Sequence, residues 1–118
     1  MSWLQFDSSG NLKESVSPLR YTTRSLSAAA SIVAGDYYIF LLTTTAAAGF
    51  TVTLPAAASN SGAQFILLDR EGNANNKNVT IAVPSGEYLD DVLNGTYVIN
   101  IPREQAFVVS NGTQWYLS

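Results

Sequence analysis

Three short β-forming runs each end on an aliphatic–proline step. They are Phe50-Thr51-Val52-Thr53-Leu54 before Pro55, Val79-Thr80-Ile81-Ala82-Val83 before Pro84, and Tyr97-Val98-Ile99-Asn100-Ile101 before Pro102. Proline has no amide proton to give to a β-ladder, so each run reads as a strand with a fixed stop. Two further runs join them: Asp36–Thr43, aromatic and aliphatic enough to be buried on both faces, and Gln64–Asp69, followed by the polar loop Glu71–Asn78. The prolines are unequally spaced, so the device recurs without forming a repeat. Alanine triplets at 28–30, 46–48 and 56–58 favour helical turns by propensity, but their Thr, Ser, Gly and Pro neighbours make them close-packed connections instead. The expected fold class is all-β, a compact antiparallel β-sandwich or barrel-like body over residues 31–118.

Residues 1–30 differ. A turn cluster, Asp7-Ser8-Ser9-Gly10-Asn11, is followed by Lys13, Glu14, Pro18, Arg20 and Arg24, and the apolar residues are too scattered for a sustained period. This segment reads as an extended N-terminal arm with a net charge of +1, ahead of a body with a net charge of −4.

The last hairpin is the sharpest local expectation. Strands Ala106–Ser110 and Thr113–Ser118 flank Asn111-Gly112, a pair suited to a two-residue type I′ turn. In that register Val108 faces Trp115 and Phe107 faces Tyr116. One face then carries Ala106, Val108, Trp115 and Leu117, the other Phe107, Val109 and Tyr116, so both are apolar. One serves the core; the other meets a second layer or another subunit. A central hairpin in a monomeric sandwich would carry the same pattern.

Charged residues are 13% of the 118, about half the usual share, and Ser, Thr, Asn and Ala replace them. Such a surface suits either a subunit hidden in an assembly or a monomer with a neutral polar exterior. With neither cysteine nor histidine, the chain has no thiolate nucleophile, serine–histidine triad, usual zinc ligand set or imidazole acid–base group. A net charge of −3 has the wrong sign for coating nucleic acid or an anionic membrane. No basic start or long apolar run suggests a leader or membrane span, so synthesis in the cytoplasm is expected.

Candidate chemistry is sparse. Tyr88-Leu89-Asp90-Asp91 has the form of the polymerase Tyr-x-Asp-Asp metal motif, but the chain is short and lacks a basic groove, so it reads as an acidic turn. Asp69-Arg70-Glu71-Gly72-Asn73-Ala74-Asn75 alternates oxygen ligands like a calcium loop, yet lacks glycine at its sixth position and has Thr80 where the bidentate glutamate belongs. Glu87, Asp90, Asp91 and Glu104 fall in loops, with nothing to pair two of them across a sugar. Exposed aromatics, Tyr88, Tyr97, Trp115 and Tyr116, with Tyr88 and Tyr97 above all, keep glycan contact open as an alternative to packing.

Taken in order, Phe50–Ala57, Gly62–Ala74, Asn78–Ile81 and Val108-Val109-Ser110-Asn111-Gly112-Thr113-Gln114-Trp115-Tyr116 resemble a small β module of tailed-bacteriophage virion proteins. That module occurs in head fibres, capsid decoration proteins and tail-fibre ends. The likeness covers roughly residues 36–118, and no repeated shaft accompanies it. It implies a non-enzymatic homotrimer without cofactor or metal, whose partners are itself and the major capsid protein on the virion surface. A decoration (cement) or head-fibre protein fits best; a tail-fibre or receptor-binding module for a host glycan is the alternative. The expected capsid-anchoring arm residues, from composition, are Trp3, Leu4, Phe6, Leu19, Arg20 and Tyr21. The subunit-packing residues are Phe107, Val109 and Tyr116.

Overall fold

The computed structural model describes residues 20–118 in full and, ahead of them, the backbone of two antiparallel strands, β1 (Trp3–Phe6) and β2 (Leu12–Ser15). Of the expected arm residues, the side chains of Trp3, Leu4 and Phe6, and Leu19 as a whole, lie outside the described residues.

The body is all-β. It contains β3 (Thr23–Leu26), β4 (Ala30–Ser31), β5 (Tyr38–Leu41), β6 (Phe50–Thr53), β7 (Gln64–Asp69), β8 (Val79–Ala82), β9 (Tyr88–Leu89), β10 (Val92–Leu93), β11 (Thr96–Ile99), β12 (Gln105–Ser110) and β13 (Trp115–Leu117). One sheet has seven strands in the order β10-β9-β13-β12-β7-β5-β3, the other four in the order β11-β8-β6-β4. Their inner faces share one core that includes Ile39, Leu41, Phe65, Leu67, Val108 and Trp115 from the larger sheet and Val52, Val79, Ile81 and Ile99 from the smaller.

The expected antiparallel sandwich is corrected here, because the first six body strands run parallel within each sheet. From β3 to β8 the chain crosses to the opposite sheet after every strand. Each return lays the new strand beside its predecessor and in the same direction: β3, β5 and β7 in the larger sheet, β4, β6 and β8 in the smaller. The result is three coils of a two-sheet spiral, with Thr23, Tyr38 and Ile66 stacked in one row. The physical reason lies in the strand ends. Leu54-Pro55 and Val83-Pro84 steer the chain out of the smaller sheet, so no tight hairpin can fold it back. Within the body, antiparallel pairing begins with the β9–β10 hairpin and continues with β11 on β8 and β12 on β7. The sheets also take in Thr23–Leu26 and Ala30, which the sequence places in the arm; Leu26 joins the core. Of the alanine triplets, only the third turns helically, as a single 3₁₀ turn at Ala57–Ser59, and Ala46 and Ala57 are buried.

The turn chemistry is redistributed. Asn111-Gly112 does not make a type I′ turn, since only Gly112 has positive φ (90°). The Asn111 side-chain oxygen instead accepts the N–H groups of Thr113 and Gln114, widening the loop. Val109 therefore pairs with Tyr116 and Ser110 with Trp115. The slip of two residues leaves every side chain on its expected face. Positive φ at two consecutive residues occurs at Asp90 (49°) and Asp91 (66°), which join β9 to β10 with Leu89 opposite Val92. Aspartate tolerates this region because its short polar side chain bonds locally. Here Asp90 accepts the Leu117 N–H and Asp91 the Gln114 amide, clipping the hairpin to β13.

Candidate functional site

The outer surfaces of the two sheets are chemically opposite. On the smaller sheet, Thr51, Thr80 and Val98 form one outward row and Thr53, Ala82 and Thr96 the next, a threonine-rich face suited to water. On the larger sheet the outward rows are Thr23-Tyr38-Ile66-Phe107, Ser25-Phe40-Leu68-Gln105 and Gln64-Val109-Tyr116. Seven of these eleven side chains are aromatic or aliphatic. Ile66 is the one buried aliphatic among the described residues that does not join the core; its neighbours on this outer face cover it. The other six apolar side chains are half-buried, and no described residue forms a layer over them.

The structure thus brings the expected packing residues Phe107, Val109 and Tyr116 together on one face. It also adds Tyr38, Phe40, Ile66 and Leu68 to them. The sequence carries a coarser signal for these four: the unbroken apolar runs at 37–42 and 65–68 leave apolar side chains on both faces of β5 and β7, these four opposite the core residues Ile39, Leu41, Phe65 and Leu67.

At the β3 side of this face the aromatic residues cluster. Tyr21 stacks on Tyr37 (centroids 4.1 Å apart, planes 17°) and meets Tyr38 edge-on, while Tyr38 and Phe40 lie near-parallel at 6.4 Å. Burial, with the neighbouring Tyr21 and Tyr38, pushes the Tyr37 phenol above its ordinary value. The Arg70 guanidinium sits 5.7 Å from the Phe40 ring centroid. Tyr21, expected to hold a capsid, here packs its ring against the body, and Arg20 beside it is exposed. The aromatics expected to contact glycan are not brought together, and one is corrected outright: Trp115 is fully buried in the core and cannot reach a ligand. Tyr88 is exposed on the larger sheet, whereas Tyr97 is half-buried on the smaller sheet and donates its hydroxyl to Glu104. That bond raises the Tyr97 phenol above its usual range, with burial adding to it.

The carboxylates that were weighed for catalysis or calcium organise loops. Asp69, fully buried at the end of β7, accepts the Thr43 hydroxyl (2.5 Å) and the N–H groups of Gly72, Ala74 and Arg103 (3.0–3.1 Å). Burial alone would raise its carboxyl, but these four bonds outweigh it and hold the group below the ordinary carboxylate range. Both oxygens of Asp69 are therefore committed to donors, which turns the calcium-like stretch into a hydrogen-bonded loop. Glu71 accepts the N–H groups of Thr44 and Thr45 and the Thr45 hydroxyl, lowering its carboxyl chiefly through the Thr45 N–H. Glu87 accepts the Ala57 N–H, and Glu104 those of Asn100 and Ile101. Among the described residues no three Asp or Glu side chains gather as a metal set.

No protein-family model matches the sequence, and no curated protein matches it either.

Proposed function

We propose that this chain is a non-enzymatic structural protein that assembles with copies of itself through the outer face of its larger sheet. The observation that carries this reading is the contrast between the two outer faces: four threonines with Val98 and Ala82 on one, seven apolar side chains with four polar ones on the other. Exposed apolar patches larger than a few hundred Å² on soluble proteins mark interaction sites, and a face of half-buried apolar side chains gains by being covered. The resemblance to tailed-phage virion modules supplies the particular form, a homotrimeric capsid decoration or head-fibre protein on the virion surface. Phe107, Val109 and Tyr116 pack against neighbouring copies, and the segment ahead of β3 docks on the major capsid protein. Three such segments on one rigid body act at high effective concentration once the first is attached. Many trimers bridging capsid subunits then oppose opening of the shell.

The test is co-sedimentation with undecorated capsids of the encoding phage, comparing the full chain with residues 20–118, a cut that spares β3. The full chain is expected in the capsid pellet, with the truncated chain folded and trimeric in the supernatant. Failure of the full chain to pellet, or pelleting of both forms alike, overturns the docking role. The receptor-binding alternative gains support from the aromatic cleft described next.

A further inference from the structure

The aromatic corner of the outer face encloses a cleft of about 460 Å³, lined by Tyr21, Thr23, Tyr38, Phe40, Leu68 and Gln105 among others. This lies in the range of small-ligand sites, which combine apolar walls with a few polar groups. Rings and polar groups have distinct places in it. Tyr38 and Phe40 project from alternate positions of β5 and lie near-parallel, 15° apart with centroids at 6.4 Å, as two aromatic walls of the cleft. The exposed Gln105 amide stands beside Leu68 in the Phe40 row, and the exposed Thr23 hydroxyl beside Tyr38.

The charge around the cleft runs against that of the chain. The protein is net negative, yet no carboxylate lines the cleft. Arg70 continues the outward column Gln64-Ile66-Leu68 one position beyond the strand end, which sets its exposed guanidinium over Phe40 at the rim. It makes no ion pair with a described residue. Its sequence neighbour Glu71 directs its oxygens to Thr44 and Thr45, with the Arg70 charge contributing the smallest share of its lowering. Asp36, the acid nearest β5 in sequence, is paired with Arg24 at 3.0 Å.

We propose that this cleft binds an acidic saccharide, with Tyr38 and Phe40 stacking on sugar-ring faces, Gln105 and Thr23 bonding ring hydroxyls, and Arg70 pairing with the carboxylate. A pyranose presents an apolar C–H face that lies flat on an aromatic ring and hydroxyls around its edge, so it matches apolar faces bordered by an amide and a hydroxyl. The guanidinium favours a carboxylate through a planar, bidentate geometry that a hydroxyl cannot return. The cleft shares the outer face with the proposed packing residues, since Phe107 continues the Tyr38-Ile66 row; packing of copies at Phe107, Val109 and Tyr116 leaves the site usable only where it spares the β3–β5 corner. Its test does not depend on capsid docking.

The experiment is calorimetric titration of the full chain, with NMR detection of the aromatic side chains. The probes are trisaccharides of galacturonic acid, of glucuronic acid and of a sialic-acid-terminated lactose, each beside its methyl ester. At least one acid is expected to bind and shift the Tyr38 and Phe40 ring signals. Its methyl ester and the Arg70→Gln variant should each weaken binding about tenfold, the loss of one charge-assisted contact. Arg70 is exposed, so this variant keeps the fold; Phe40→Ala, checked for folding by circular dichroism, should abolish the ring shifts and the heat. Absence of binding by all three acids, equal binding of acid and ester, or unchanged affinity in Arg70→Gln overturns the proposal.

Discussion

Replacing Asp69 by alanine removes the acceptor that ties three separate loops together. Its carboxylate serves the Thr43 hydroxyl and the N–H groups of Gly72, Ala74 and Arg103. Thr43 and Ala74 are fully buried, so water cannot replace the lost partner there. A buried donor left unsatisfied costs about 1–3 kcal/mol, so these two alone cost about 2–6 kcal/mol. Gly72 and Arg103 are more open and add less. A loss near 4 kcal/mol is a large part of the total for a chain of this length, about 6–18 kcal/mol at the usual 0.05–0.15 per residue. Urea unfolding followed by circular dichroism measures it. The pH dependence has a definite sign, because the folded carboxyl lies below its unfolded value of about 3.9. The contribution is complete above that value and is lost as pH falls through the folded pKa. The gap between wild type and Asp69→Ala should therefore narrow below about pH 4. A loss under about 1 kcal/mol at neutral pH, or a gap that stays constant into acid, would refute the assignment of Asp69 as the loop anchor.

Other expectations test different parts of the structure. Gly49→Ala sets a Cβ 2.7 Å from the Asn78 carbonyl oxygen, so the β6–β8 pairing must shift at a cost of about 1–3 kcal/mol, readable by denaturant melts. Trp115→Phe removes the indole N–H that bonds the Pro55 carbonyl (2.8 Å) and part of a fully buried ring, with an expected loss of about 2–4 kcal/mol. Glu104→Gln should lower the Tyr97 phenol toward its ordinary value in an NMR titration. In the wild type, stability linked to this raised phenol is present below the unfolded value of about 10 and is lost as pH rises through the folded one.

Local pattern was legible where it set local structure. Gln64–Asp69 has the bounds observed for β7, and the alternation of the last hairpin put Phe107, Val109 and Tyr116 on one face despite the slip in register. Pairing is non-local and was not legible. Nothing within Tyr38–Leu41 says that it will lie parallel to both Thr23–Leu26 and Gln64–Asp69, because direction depends on where the chain crosses between sheets. The Asp90-Asp91 turn was hidden by the weak signal of its two-residue strands. The Asp69 anchor was hidden because three of its four donors are backbone N–H groups, which every residue type except proline carries. The aromatic corner joins residues 21, 37, 38 and 40 with Arg70 and Gln105, which only the coiling of the chain brings together.

Self-association through the outer face is tested most directly by the mass of the purified full chain in solution, measured by multi-angle light scattering across a range of concentrations. Trimeric assembly requires three times the 12.7 kDa chain, and Phe107→Asp should return that mass to one chain while circular dichroism stays unchanged. A wild-type protein that remains at 12.7 kDa at every concentration would contradict assembly and leave the apolar face without its proposed partner.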